Sequence, residues 1–218
     1  MVDAAPLASG RDADVFAIDA RRVLRRYRRG GDVAVEATVM RYVAGLGFPV
    51  PRVHQAQGAD LVMDRVNGPT MASALVVGTL GIPEAATQLA DLHHRLHELP
   101  PRLSTDPAVR VLHMDLHPQN VLLSSAGPVL IDWRNTTEGA PDLDVALSAV
   151  ILAQVAVDQT HPWAGPAHAL LAAFLRQVGG NPLRVVDQAV AIRTADPGLT
   201  PDEVARLGEA ATLITHCG

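Results

Sequence analysis

The chain has 218 residues, 48% of them apolar and 19% charged, and a formal net charge of -5. That composition excludes general disorder and leaves room for one large domain or two small lobes with real cores. The charge balance speaks against a nucleic-acid partner, the single Cys217 excludes a disulfide framework and favours a cytoplasmic setting, and no apolar run is long enough to cross a bilayer.

The first sixteen residues, MVDAAPLASGRDADVF, lack a basic start followed by an apolar core and so do not read as a signal peptide. DVFAID (14–19) and RRVLRRY (21–27) read as two strands joined by a turn near Asp19–Ala20. The basic run over 21–31 reads as part of this strand and the turn after it. Residues 32–47 predict a helix, with Val35, Val39, Tyr42, Val43 and Leu46 as its buried stripe and Gly45 or Gly47 at its end. FPVPRVHQA leads into a further strand, and ADLVMDRVNG (59–68) is a strand running into a polar turn.

The second portion is more helical. Residues 83–99 predict a helix with Pro83 near its start and Leu89, Leu92, Leu96 and Leu99 on one face. Its His93 and His97 have i,i+4 spacing, which suits a metal pair, but no third ligand is evident in the sequence. After the loop HMDLHPQN (113–120) come two short strands, VLLS and PVLIDW. Residues 142–157 read as a core helix, followed by helices over AHALLAAFLRQVG and NPLRVVDQAVAIRTA. A last helix runs through TPDEVARLGEAATLITH, capped by Thr200.

The polar groups concentrate around the two short strands. If these pair as a hairpin, Asp115, Asn120 and Asp132 fall on one side of it. Two carboxylates and an amide oxygen suit a hard ion such as Mg²⁺, and a carboxylate off the metal is placed to take a proton from a hydroxyl. In the competing reading, His113, Asp115 and His117 alternate along a strand and, with Asp132, hold Zn²⁺ for hydrolysis.

HMDLHPQN followed by IDW resembles the catalytic and metal-binding segments of the aminoglycoside phosphotransferase and choline kinase-like group, a family with the protein-kinase-like fold. The resemblance runs from about residue 10 to 157. It implies an α+β, two-lobed protein-kinase-like fold, with a small β-rich lobe over 1–66 and a reduced, mostly helical lobe over 67–218. It implies transfer of the γ-phosphoryl group of ATP, or of GTP, to a hydroxyl of a small molecule. By that resemblance Asp115 is the catalytic base, Asn120 a metal ligand, Asp132 the main Mg²⁺ ligand and Asp144 a structural anchor. Gly10 and Arg11 belong to a short phosphate loop, Arg25 stands where the family has its phosphate-binding lysine, and Glu36 pairs with it. Met63, Asp64 and Arg65 lie at the adenine hinge.

The chain departs from the family pattern in two places. All 18 basic residues are arginine, so Arg25 replaces lysine with a planar fork. The segment between hinge and catalytic loop is short, which implies a small acceptor, an open pocket or help from another subunit; monomer and homodimer are both compatible with this. Residues 111–218 carry 11 acidic side chains against five arginines, which suggests a cationic acceptor such as an amino sugar or amino alcohol. A non-catalytic nucleotide-binding or scaffold protein of the same fold is the alternative.

Overall fold

The computed structural model describes residues 5–217, which form two compact units. One runs up to Pro69 and also takes Leu122–Thr136; the other comprises Thr70–Val121 and the chain from Thr137 onward. The sequence reading divided the chain at 66/67.

The first unit is built on an antiparallel sheet of order β1-β2-β3-β5-β4, with β1 at Ala8–Ser9, β2 at Ala13–Ala17, β3 at Arg22–Tyr27, β4 at Val53–Gln57 and β5 at Asp60–Asp64. The β2–β3 turn forms because the Asp19 carboxylate accepts hydrogen bonds from the backbone N–H groups of Arg21 and Arg22, both at 2.8 Å. Along β3, Val23 and Arg25 share one face and Arg22 and Arg26 the other. Helix α1 spans Ala34–Gly45. Its buried residues are Glu36, Ala37, Val39, Met40 and Val43, whereas Val35 is 67% exposed and Leu46 45% exposed. The expected stripe was therefore rotated too far. It left Glu36 out because a carboxylate does not read as core, yet this one is taken inside by a cation and a phenol.

Strands β7 (Val121–Ser124) and β8 (Gly127–Leu130) form a hairpin. Leu123 N–H donates to the Pro69 carbonyl at 2.9 Å and Leu130 N–H to the Pro49 carbonyl at 3.0 Å, which ties the hairpin to the sheet unit. Gly68, at φ +150°, makes the approach possible: a Cβ there would lie 2.0 Å from the Leu123 carbonyl oxygen.

The second unit centres on α4 (Pro141–Val157), which is buried on nearly every side, as its unbroken apolar run requires. Helices α5 (Ala164–Leu175), α6 (Val186–Thr194) and α8 (Leu207–Cys217) pack on it, with α2 (Met71–Val76) and α3 (Ile82–Glu98) completing the unit. A small ladder joins β6 (Arg110–Leu112) to β9 (Thr137–Gly139). The last predicted helix is two: α7 (Pro201–Ala205), opened by a Thr200–Glu203 capping box, and then α8. The break at Arg206 precedes Gly208, a weak helix former, and it lets Leu207, Ala210 and Ile214 turn inward while α7 stays unburied. Among the described residues no helix is long and apolar enough to cross a membrane.

Candidate active site

In the sheet unit the chemistry gathers around Arg25. Its side chain is buried, and its guanidinium donates to Glu36 Oε1 at 2.7 Å and to Asp132 Oδ1 at 2.5 Å. Burial alone pulls the Arg25 pKa down, but the two carboxylates more than reverse this, so the group is held charged above its ordinary range. Burial raises the pKa of Glu36, with Arg25 opposing. The Tyr27 hydroxyl donates to Glu36 Oε2 at 2.7 Å, and burial pushes that phenol well above its usual range. Arg26 faces the other way and forks onto Asp60 at 2.6 and 2.7 Å.

Asp132 follows β8 in the left-handed region, with φ 65° and ψ 65°. For a residue other than glycine this costs about 1–3 kcal/mol, and it aims the side chain back toward Arg25. Trp133 beside it is fully buried, with its indole N–H on the Leu130 carbonyl and Phe48 edge-on at 5.6 Å. That packing holds the strained turn.

The phosphate-loop candidates lie on the β1–β2 turn. Gly10 N–H donates to the Ala13 carbonyl, and the carbonyls of Gly10 and Arg11 accept from Arg28 at 2.6 and 2.5 Å. Arg28 also pairs with Asp14 at 2.6 Å, and Arg134 pairs with Asp12 at the same distance. Met63 is buried in β5 between Val23 and Val53. Asp64 accepts from His54 at 2.7 Å, and Arg65 N–H donates to the Arg21 carbonyl. Arg134 escaped the sequence reading, and Tyr27 and Arg28 entered it only as members of the basic run over 21–31. The signals were present: Tyr27 is two residues from Arg25 on the same face of a strand, and Arg134 directly follows IDW.

In the helical unit the loop 113–120 is not a strand. Met114 has φ 65° and Pro118–Asn120 is a 3-10 turn, so His113, Asp115 and His117 do not alternate on one face, and the hydrolase reading loses its premise. His113 is buried, whereas Asp115 and His117 keep partial exposure. Asn120 Nδ2 donates to the Asp115 carbonyl at 2.9 Å and to Asp115 Oδ2 at 3.0 Å. The same nitrogen lies 3.1 Å from His117 Nε2, and the two Asp115 oxygens fix the amide orientation. His117 Nε2 is 3.5 Å from Asp115 Oδ1. Burial would raise the Asp115 pKa, but the hydrogen bond to His117 and the neighbouring histidines lower it, so the carboxylate stays ionised.

Asp144 anchors this loop from inside. Its oxygens accept from the backbone N–H groups of His113 at 3.1 Å and Met114 at 2.7 Å, and from His97 Nε2 at 2.9 Å. Burial opposes ionisation, but His97 and the other histidines hold the Asp144 carboxyl well below the usual range. His93, His97 and Asp144 bring one possible ligand atom each within 4.8 Å of one another, so the third member absent from the sequence reading exists. The hydrogen bonds favour an anchoring role, since Asp144 already accepts three. Ser148 donates to the Leu116 carbonyl, which makes it the acceptor of His93 Nε2–H at 3.0 Å. His93 Nδ1 then carries a lone pair 3.7 Å from Asp144, without a donor, and burial lowers the His93 pKa to about 3.

In the sheet unit Asp132 is 38% exposed, with one oxygen taken by Arg25. In the helical unit the Asn120 amide nitrogen is committed to Asp115. Carboxylate and amide oxygens are the donor types that a hard divalent ion takes.

The phosphotransferase enzyme family profile matches residues 3–108 and 85–185. Among solved structures, the gentamicin complex of APH(2'')-IIa is similar over 96% of this chain and 92% of its own, with TM-score 0.59 and 12% identity. An aminoglycoside-3'-phosphotransferase of type VIII aligns over 98% and 92%, with TM-score 0.55 and 21% identity. A choline/ethanolamine kinase family protein from Mesorhizobium loti aligns over 98% and 86%, with TM-score 0.58 and 15% identity. A search of curated proteins by sequence finds no match. With a sheet-bearing lobe, a helical lobe and a profile match over most of its length, the chain belongs to the phosphotransferase enzyme family, the group of aminoglycoside phosphotransferases and choline kinase-like proteins.

Proposed function

We propose that the protein transfers the γ-phosphoryl group of ATP or GTP, with Mg²⁺, to a hydroxyl of a small molecule in the cytoplasm. The observation that carries this reading is Asp115. It is an ionised, partly buried carboxylate held by Asn120 and approached by His117, and among the described residues no guanidinium hydrogen-bonds to it. A carboxylate kept this way is placed to receive a proton.

In this reading Arg25, oriented by Glu36, contacts the nucleotide phosphates, while Met63, Asp64 and Arg65 border the base. Asp132 and Asn120 are the residues that would hold Mg²⁺, which when bound neutralises charge on the phosphates. Asp115 accepts the acceptor's hydroxyl proton as the new P–O bond forms and the bond from γ-phosphorus to the bridging oxygen breaks, leaving the nucleoside diphosphate with the electron pair. The acceptor is proposed to be an alcohol of modest size, cationic if the acidic excess of the second half reaches it.

The test is a nucleotide-consumption screen over aminoglycosides, sugars, amino alcohols and nucleosides, with mass detection of a phosphorylated product. In Asp115→Asn, turnover should fall about 10²–10⁴-fold with nucleotide affinity retained. Unchanged turnover removes Asp115 from the reaction. The non-catalytic alternative draws on the Arg25–Asp132 pair, in which a guanidinium already occupies one oxygen of the expected metal ligand. Nucleotide binding without a phosphorylated product across the whole panel decides for it.

A further inference from the structure

The charge around Arg25 does not balance. Glu36 and Asp132 face Arg25, Asp14 pairs with Arg28 and Asp12 with Arg134, so four carboxylates meet three guanidiniums. A polyphosphate approaching this region meets an excess of negative charge unless another cation turns toward it. The sequence holds no lysine that could do so.

Two further arginines are at hand, and they are committed to different degrees. Arg28 is spent on the loop itself, with Asp14 and the carbonyls of Gly10 and Arg11 as its acceptors. Arg134 is not. Among the described residues its guanidinium makes one hydrogen bond, from Nη1 to Asp12 Oδ2 at 2.6 Å, with both side chains 50% exposed. Among the described residues its other N–H donors have no acceptor, although a guanidinium carries five. Its plane is nonetheless fixed: the guanidinium carbon lies 4.8 Å from the centre of the Tyr27 ring. The same ring carries Arg25 at 4.9 Å. One aromatic side chain is thus in contact with two guanidiniums, the first paired with two carboxylates and the second with one.

We infer that Arg134 is a second phosphate-binding residue, which exchanges the Asp12 carboxylate for a phosphate oxygen of the nucleotide. The inference rests on the phosphoryl-transfer reading and adds a residue and a direction of exchange to it. An exposed ion pair is weak enough to be traded, and a doubly charged phosphate oxygen group outcompetes a single carboxylate for the same fork. Asp12 is then a competitor of the nucleotide, and its removal strengthens binding.

The experiment is calorimetric titration of the full chain with Mg-ATP and, separately, with adenosine. In Arg134→Ala, ATP affinity should fall at least about tenfold, adenosine affinity should hold, and the salt dependence of ATP binding should flatten. In Asp12→Asn, ATP affinity should rise severalfold. A residue that merely pins the loop gives the opposite sign in the second variant, because losing Asp12 loosens the loop. Equal ATP affinity in Arg134→Ala and wild type overturns the inference, as does a parallel loss for ATP and adenosine, or weaker ATP binding by Asp12→Asn. If the wild type binds Mg-ATP and forms product while Arg134→Ala is indistinguishable from it, only the role of Arg134 falls. A wild type that binds neither ligand brings down the phosphoryl-transfer reading together with this one.

Discussion

Arg25 and Arg26 are adjacent and chemically identical, yet their surroundings give them opposite consequences. Removing Arg25 leaves Glu36 buried without its cation, which typically costs about 3–5 kcal/mol. Arg25→Ala should therefore lower the melting temperature and slow any phosphoryl transfer strongly, whereas Arg26→Ala, which loses only an exposed partner, should change neither appreciably. Steady-state kinetics and thermal melts of both variants check this, and a larger effect at position 26 would mean that the face assignment fails. The alternation of RRVLRRY made this distinction legible in the sequence. The engagement of Arg25 with Asp132 was not, because it links positions 107 residues apart. A second residue-scale consequence concerns His93. Folding lowers its pKa from 6.5 to about 3, so between those values the unfolded chain binds the extra proton. Stability from this group is complete above about pH 6.5 and is lost as pH falls toward 3, on the order of a few kcal/mol in all. Chemical denaturation at a series of pH values should show a flatter acid limb in His93→Gln than in the wild type; identical limbs would mean that His93 is not buried in its neutral form.

At the scale of elements, the clearest case is the seam between the polar turn after β5 and the β7–β8 hairpin. Gly68 lets the chain pass against Leu123, where any Cβ meets a backbone oxygen that cannot swing away. Overpacking of about 1–3 kcal/mol adds to backbone strain of similar size in Gly68→Ala. The variant should melt several degrees lower, and amide exchange should show the Leu123 N–H losing protection first. Unaltered protection there would mean that the seam does not depend on this glycine. The sequence marked VNG only as a turn; the need for glycine arises from a strand more than fifty residues later, which local pattern does not record. The same limit explains the other misses. Strand β1 has two residues and the β6–β9 ladder joins three-residue segments, too short to show a period. The hairpin at Asp19 and the helices with a proline at the start and a leucine face were legible because their causes are local.

For the whole molecule, net charge is the property that bears on the acceptor. The 11-to-five acidic excess after residue 110 overstates the field that a substrate meets. Asp144 is consumed inside the helical unit, Glu138 accepts from the backbone N–H groups of Arg102, Leu103 and Ser104, Asp158 and Asp196 pair with Arg206 and Arg193, and Glu203 caps α7. What remains is a modest bias toward cations. A primary-amine acceptor should be favoured over its N-acetylated form, with the preference shrinking as salt rises through the range in which the screening length drops from about 10 Å to about 3 Å. Equal kcat/KM for the two forms at all salt concentrations would dismiss the charge argument without touching the assignment of Asp115.

Arginine at position 25 also decides which chemical insults this protein withstands. An ε-amine is acylated, carbamylated or captured by a carbonyl compound, and each of these events erases its positive charge. A guanidinium resists the first two under the same conditions, and no lysine elsewhere in the chain offers a target. The phosphate site proposed at Arg25 therefore keeps its charge where one built on an amine is silenced, and its vulnerability shifts to dicarbonyl compounds, which condense with arginine.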